Sequence, residues 1–318
     1  MTLLSIILVL VVEQLHALPV ARAVRQPVAL WSRFLEQHFN DGRYAHGALA
    51  WGLGVALPTI AVLGLYVYLW AYQVALAFIL GLALLYLTTG FRQFSHYFTE
   101  IQEALRTDDI ELARQILAEW RQQSGDRLSR SDVARLAIEQ GLLASHRDVF
   151  APVFWFVVLG PAGVLMYRFA EQFKQNWGEL SHLPEISGQT DSDHFGAFSR
   201  QAFAVIDWIP VRLTAGAFAI VGDFEDAVYC WRTQANRWPD RASGILLASG
   251  AGALGVRLGL PVPDPVQVDE VGDDRPALGV GEDADPDFMQ STIGLVWRTL
   301  VLVLLMLALV WVSGWIGG

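Results

Sequence analysis

Between Arg43 and Arg92 the chain runs for 48 consecutive positions without Asp, Glu, Lys or Arg, filled instead with Leu, Ala, Val, Gly, Tyr and Trp. A transmembrane helix needs about 20 apolar residues. Gly47 to Tyr66 and Trp70 to Thr89 therefore predict two spans joined by a tight turn near Tyr68 to Tyr72. Leu3 to Val12, continuing to about Leu18, predicts a first span or a half-inserted one, since it lacks the basic start and small-residue cleavage site of a signal peptide. Val149 to Tyr167, bounded by Asp148 and Arg168, and Leu300 to Ile316, after Arg298, predict two more. Ala202 to Val221 and Ser243 to Val262 are apolar but contain Asp207, Arg212 and Arg257 and are broken by Gly or Pro. Crossing, re-entry and packing inside the bundle stay open for both.

Between these runs the pattern changes to helical amphipathicity. Asp108 followed by Glu111 predicts a helix start, and Ile110, Ala113, Ile116, Leu117 and Trp120 form one stripe. Ser129 and Ser131 precede a second helix with Val133, Leu136, Ala137 and Gln140 along a face, after a loop over Gln122 to Leu128. Four arginines in 13–46 and eight in 92–148 put both segments on the cytoplasmic side. The layout expected is 1–91 as N-terminal membrane helices, 92–148 as a cytoplasmic helical insert and 149–262 as membrane or interfacial helices. An acidic tether at 263–298 and a C-terminal transmembrane helix at 299–318 complete it. This is an all-α polytopic helical membrane protein with about five transmembrane helices, in a bacterial inner membrane with the lipid bilayer as its first partner.

Composition supports that class, with 53% hydrophobic residues, 17% charged ones and a mean hydropathy of +0.37. The net charge of −10 is mostly one segment, because Asp264 to Asp287 holds nine acids against Arg275 alone. The remainder is nearly neutral, which excludes a nucleic-acid footprint. A single cysteine, Cys230, excludes an intramolecular disulfide and a cysteine-based metal cluster. The histidines stand singly, so no metal site is expected. No nucleophile elbow and no phosphate loop ending in Gly-Lys-Ser or Gly-Lys-Thr is found.

Gly250-Ala-Gly252-Ala-Leu-Gly255 has dinucleotide-binding spacing, with Asp269 and Glu270 beyond it, but Gly259 and Pro261 interrupt the helix that such a site requires. Close packing of small residues is the expected use. Ionisable residues in apolar runs carry more information, since a charge at mid-bilayer costs at least about 2.5 kcal/mol and is usually paired or functional. Asp207 and Arg212 flank Pro210 and can pair with each other or with Arg257; Arg168 follows the run Gly160 to Tyr167. A structural ion pair, an interfacial snorkelling arginine and a ligand site are the alternatives.

Four blocks carry a family resemblance: Phe150-Ala-Pro-Val-Phe-Trp155, Leu159-Gly-Pro-Ala-Gly-Val-Leu-Met-Tyr-Arg168, Asp207-Trp-Ile-Pro-Val-Arg-Leu-Thr214 and Gly252-Ala-Leu-Gly-Val-Arg-Leu-Gly259. Together they resemble the membrane superfamily of the cobalamin biosynthesis proteins CobD/CbiB and the signalling protein AmpE, over most of residues 1 to 260. The N-terminal half looks AmpE-like, whereas Trp238-Pro239 and the Gly252 to Gly259 block look like CobD/CbiB. The CobD/CbiB resemblance implies joining of aminopropanol, or its phosphate, to a corrin propionate, with ATP and Mg as cofactors. That family places Glu-Ser, Glu-Asn and Asp-Gly before the Ala-Pro-x-Phe-Trp block. Here Glu139-Gln-Gly-Leu-Leu-Ala-Ser-His-Arg-Asp148 keeps Glu139 only, Asn-Thr-Leu-Asp after Tyr167-Arg168 is absent, and His16-Ala-Leu-Pro19 is a remnant of His-Pro-Val. A scaffold kept while polar groups are stripped implies a non-catalytic or altered AmpE-like ligand-binding or signalling member. A corrinoid or cell-wall-derived ligand, and a membrane protein partner, go with that reading. An amide-forming enzyme of cobalamin biosynthesis is the alternative. Glu139, Asp148, Tyr167, Arg168, Asp207, Arg212, Trp238 and Arg257 are the expected ligand-binding or interior polar residues.

Overall fold

Helices account for nearly all of the residues that the computed structural model describes, which are 2–15, 25–121, 123, 127–178, 194–261 and 275–316. In chain order these are α1 (Thr2–Leu15), α2 (Gln26–Phe39), α3 (Tyr44–Trp51), a π-helical turn (Gly52–Ala56), α4 (Leu57–Tyr72), α5 (Val74–Thr88), α6 (Phe91–Arg106), α7 (Ile110–Arg121) and α8 (Arg130–Ser145). A second π-helical turn (His146–Phe150) leads into α9 (Ala151–Leu159), followed by α10 (Pro161–Gly178), α11 (Phe195–Ile206), α12 (Trp208–Val221), α13 (Phe224–Gln234) and α14 (Arg241–Leu254). Two short strands, β1 (Val256–Arg257) and β2 (Glu282–Asp283), pair in parallel, and α15 (Pro286–Ile316) ends the chain.

The chain is an all-α membrane protein. Three helices are long and apolar enough to cross a bilayer, Tyr44–Tyr72, Arg130–Leu159 and Pro286–Ser313, and α11 with α12 makes a fourth if their 45° bend counts as one broken span. About five were expected. The difference lies in α1 and α5, whose 14 and 15 residues reach only about 22 Å at 1.5 Å per residue, against a hydrocarbon core of about 30 Å.

Three span boundaries also move. The break after the first span falls at Gln73, because α4 runs to Tyr72. The uncharged run Val149 to Tyr167 is not one helix: Gly160 takes φ +61 and ends α9, and Pro161 opens α10. A left-handed glycine followed by proline is a stop and a restart, whatever the charge of the run around it. The last helix begins at Pro286, well before Leu300, so part of the expected acidic tether is helical. His16 to Pro19 and residues 262–274 lie outside the described residues.

One compact unit comprises Met1–Gly90 and Ala151–Ile209. Its core is aromatic, with Tyr167, Phe173 and Trp177 of α10 packed on Phe195 and Phe203 of α11 and on Val28, Leu35, Ala50 and Val55. Spacings of six and four residues along α10 put these side chains on one side of the helix. Gly54 faces the Phe173 ring and Gly47 faces the Phe195 backbone, so added side chains would collide there. Small residues let those helix backbones approach.

The other unit comprises Phe91–Phe150 and Pro210–Gly318. Its centre is α14, in which all ten residues from Gly244 to Ala253 are buried. Gly250 faces Leu142, Gly252 faces the backbone of Asp226 and Ala227, and the Ser249 hydroxyl donates to Ala215 O at 2.8 Å. Of the dinucleotide-like glycines, Gly250 and Gly252 thus sit inside α14 as packing positions, and Gly255 ends that helix in the left-handed conformation at φ +67.

Caps fix the ends of the surrounding helices. Ser129 and Asp132 form a reciprocal capping box on α8, as the serine pattern predicted. On α7 the cap is Asp109, whose Oδ1 accepts from Leu112 N–H at 3.1 Å, rather than Asp108, which takes φ +62 and pairs with Arg130 at 2.8 Å.

Candidate functional site

Polar side chains gather at two buried places, one in each unit. In the first unit Arg168, only 5% exposed, donates from Nε to Thr88 O at 2.7 Å, again from Nη2 to the same oxygen, and from Nη1 to Glu171 Oε2 at 2.9 Å. Thr88 is the last residue of α5, whose terminal carbonyls have no partner within the helix. Arg168 is therefore a cation on a helix C-terminus, held by a buried glutamate one turn on. Nearby in sequence, the Tyr167 hydroxyl donates to Asp207 Oδ1 at 3.3 Å, and Lys174, the chain's one lysine, lies 5.1 Å from the centroid of the Phe203 ring that packs on Tyr167.

The second place is a seat built on the face of α8 that carries Asp132, Arg135 and Glu139. Residues three and four apart on a helix are neighbours, so these three line up beneath the segment that follows β1. Glu139, 5% exposed, has both carboxylate oxygens engaged. Gly259 N–H donates to Oε1 at 2.9 Å and the Arg275 guanidinium donates to Oε2. Gly259 holds φ +75 and its Cα lies against Pro276 O, so a side chain there would both strain the backbone and collide. Arg275 lies over the Trp238 ring, 5.0 Å from its centroid, a cation–π contact that fixes the guanidinium plane.

Arg135 donates to Asp132 Oδ1 at 2.6 Å and makes a long contact of 3.5 Å to Pro261 O. Gln234 clamps the opposite loop, accepting from Gly279 N–H at 2.6 Å and donating to Gly279 O at 3.4 Å. Half-buried Arg121 lies within the field of the seat: burial lowers its pKa, Glu139 opposes that and Arg275 reinforces it. An arginine-rich seat with two carboxylates, closed by backbone donors, suits a polyanionic ligand.

The sequence-predicted residues divide between these places. Tyr167, Arg168 and Asp207 belong to the first unit; Glu139 and Trp238 meet in the seat of the second. Asp148 lies half-buried in the π-helical turn after α8, beside His146, whose Nδ1 is 2.9 Å from the Thr214 hydroxyl. Arg212 is half-buried on α12. Arg257 is half exposed and pairs with Asp283 at 2.8 Å, and Asp207 takes the Tyr167 hydroxyl.

Arg275, Arg135 and Arg121 were missed. Arg275 did carry a signal, as the one base among nine acids between Asp264 and Asp287. Among the described residues no group of three or more His, Cys, Asp or Glu is arranged to hold a metal ion.

Comparison with known proteins covers nearly the whole chain. The CobD/Cbib protein family model matches residues 6–296. A cobalamin biosynthesis protein CobD from Stutzerimonas stutzeri (strain A1501) is 32% identical over 286 residues, 89% of this chain and 88% of that protein. One of the same name from Chromobacterium violaceum is 34% identical over 206 residues, 65% of this chain and 62% of that protein. A probable cobalamin biosynthesis protein CobD from Methanothermobacter thermautotrophicus is 28% identical over 161 residues, 48% of this chain and 51% of that protein. No solved structure matches. The AmpE-like reading of the N-terminal half gains nothing from these relatives.

Proposed function

The chain belongs to the CobD/Cbib protein family, and on that premise we propose that it is a multi-pass membrane enzyme of cobalamin biosynthesis that forms an amide between aminopropanol, or its phosphate, and a propionate of the corrin ring. The observation that carries this reading over a non-catalytic one is the seat around Glu139. Sequence losses before Phe150 suggested a site emptied of polar groups. The seat instead holds a buried carboxylate, two arginines and an aromatic ring, supplied from residues 135, 139, 238 and 275.

Amide formation of this kind uses a nucleotide with Mg²⁺, which when bound supplies the activation that makes a carboxylate reactive toward an amine. The arginines of the seat are the groups suited to the phosphates of such a nucleotide, whereas Glu139 and Asp132 have their oxygens taken by protein donors and leave no free carboxylate there for Mg²⁺. Within this reading the chain's residues have separable roles. Arg275, held by Glu139 and by the Trp238 face, presents fixed positive charge where oxyanion character develops, a preorganised arrangement that needs no rearrangement during reaction. Glu139 has both oxygens occupied, so it orients Arg275 rather than taking a proton. Trp238 covers one face of the Arg275 guanidinium and so restrains its plane.

The test is genetic and chemical together. The intact chain is expressed in cells lacking their own synthase, and cobinamide production is measured. Restoration is expected, with loss of restoration in Glu139→Gln and Arg275→Gln variants that still reach the membrane in normal amount. An intact chain that accumulates in the membrane yet restores nothing would return the non-catalytic reading to first place.

A further inference from the structure

Helix α2 carries more apolar surface than its own unit covers. One side of it holds Val28 and Leu35 with Ser32 between them, the adjoining side holds Pro27, Leu30, Trp31 and Phe34, and Gln26, Arg33, Glu36 and Gln37 make up the polar remainder. The first side is buried and pinned on α10, where Trp177 Nε1–H donates to Ser32 O at 3.2 Å and the Asn176 amide donates to Ser32 Oγ. That pin turns the adjoining side outward, with Leu30, Trp31 and Phe34 exposed by 66, 40 and 48%. The Trp31 and Phe34 rings stack at 5.7 Å and Phe34 lies 4.2 Å from the His38 ring, so the outward side is one continuous patch. Amphipathic α6, by contrast, buries Phe98, Ile101 and Leu105 completely within its own unit. A rimmed apolar patch left open marks a contact surface.

Its place in the chain names the cover. Only Asn40 to Arg43 separate α2 from Tyr44–Tyr72, a helix long and apolar enough to cross a bilayer, with Leu57, Ile60 and Val67 exposed along it. At 14 residues, or about 21 Å at 1.5 Å per residue, α2 is too short to cross a hydrocarbon core about 30 Å thick, and Arg33, Glu36 and His38 make it too polar. We propose that α2 lies along the membrane surface, with Leu30, Trp31 and Phe34 sunk into the boundary between headgroups and acyl chains and Arg33 on the phosphate of an anionic lipid. An aromatic apolar face beside a polar face that carries arginine is the pattern of an interfacial helix, and indole rings settle at headgroup level. Arginine lays its stem along apolar surface while its fork meets phosphate. Arg33 is free for that contact, being exposed and making no hydrogen bond or ion pair among the described residues. The assignment is independent of the reaction proposed above.

The full chain is spin-labelled at Leu30→Cys, Phe34→Cys or Gln37→Cys, all exposed positions, and reconstituted into nanodiscs of phosphatidylcholine and phosphatidylglycerol. Cys230 is buried, and the unsubstituted chain gives the background. Collision with oxygen, which concentrates in lipid, and with a water-soluble nickel chelate reads the depth of each label. Leu30→Cys and Phe34→Cys are expected to favour oxygen, and Gln37→Cys the chelate. In a second measurement phosphatidylglycerol is titrated into phosphatidylcholine–detergent micelles, where it is expected to raise the unfolding midpoint saturably. Arg33→Gln should weaken that response about fivefold, the pull of an anionic surface on one basic side chain, and Arg33→Lys should restore most of it. The proposal is overturned if the labels at 30 and 34 meet the chelate as readily as the one at 37, which would put the face in water. Exclusion of both reagents would also overturn it, by giving the face to a second copy or another protein. So would phosphatidylglycerol that acts on Arg33→Gln as on the natural protein.

Discussion

Arg168 and Arg135 are both buried arginines paired with an acid three residues away on the same helix, and they are put to different use. Arg168 spends its fork on the end carbonyl of α5 and on Glu171, so its contacts tie two helices of one unit together. Arg135 pairs with Asp132, makes only a long contact to Pro261 O, and keeps its Nε–H without a partner. A satisfied arginine in a core is structure; one that retains a buried donor is poised for something the chain does not itself contain. Intramembrane and buried charges are often read as functional on sight. The contrast shows that the donor inventory, rather than burial, separates the two cases.

The largest expected effect breaks the structural side of the contrast. Arg168→Ala leaves Glu171 charged and buried with only a long bond from Gln175 and strips the α5 terminus, so stability in detergent should fall by about 3–5 kcal/mol, read as a lower unfolding midpoint. Glu139→Ala should cost somewhat less, about 3 kcal/mol, because Arg275 retains Trp238 and part of its exposure; the same unfolding measurement ranks the two variants. Ser129→Ala removes half of the α8 capping box and should cost about 1 kcal/mol, which separates support of the helix from the chemistry on its face. Arg121→Gln sharpens the functional side: stability should change by no more than about 0.5 kcal/mol in either direction, read from the same unfolding midpoint. If Arg121→Gln instead unfolds the protein, the contrast collapses. The Cys230 thiol gives the smallest signal: burial, helped by Asp226, pushes its pKa up to about 11, so it should resist alkylation at pH 8 until denaturant is added, the thiolate being the reactive form.

Much of the membrane character was legible because it depends on local composition. The charge-free stretch from Arg43 to Arg92 needed no partner to be understood, and Ser129 announced the start of α8 by chemistry confined to four residues. Boundaries were less legible. The run Val149 to Tyr167 looked continuous on hydropathy, whereas the Gly160-Pro161 pair, a backbone signal, decided where α9 ends. Arg130–Leu159 escaped notice as a candidate span because its first half is polar and buried against its own unit. The site was legible only in part, for a different reason. Glu139 and Trp238 stood out by resemblance, but the bond from Arg275 to Glu139 closes over 136 residues, and no local pattern encodes a pairing at that distance. Counting lost motifs near Phe150 therefore favoured an emptied site, since arginines recruited from elsewhere leave no trace in the motif they replace.

Both compact units are assembled from chain segments that are not adjacent, with 91–150 inserted between the two halves of one and 151–209 between the two halves of the other. During synthesis α8 emerges roughly a hundred residues ahead of α14, the helix whose Gly250 receives Leu142, a delay of about 5–20 s at ordinary ribosomal speed. For that interval Leu142 lacks the α14 surface that covers it in the finished protein, and the insertion machinery or a chaperone must shelter it. A stalled ribosome just short of Arg241 would leave a nascent product that is already threaded through lipid yet unable to finish its second half, a natural substrate for membrane quality-control proteases.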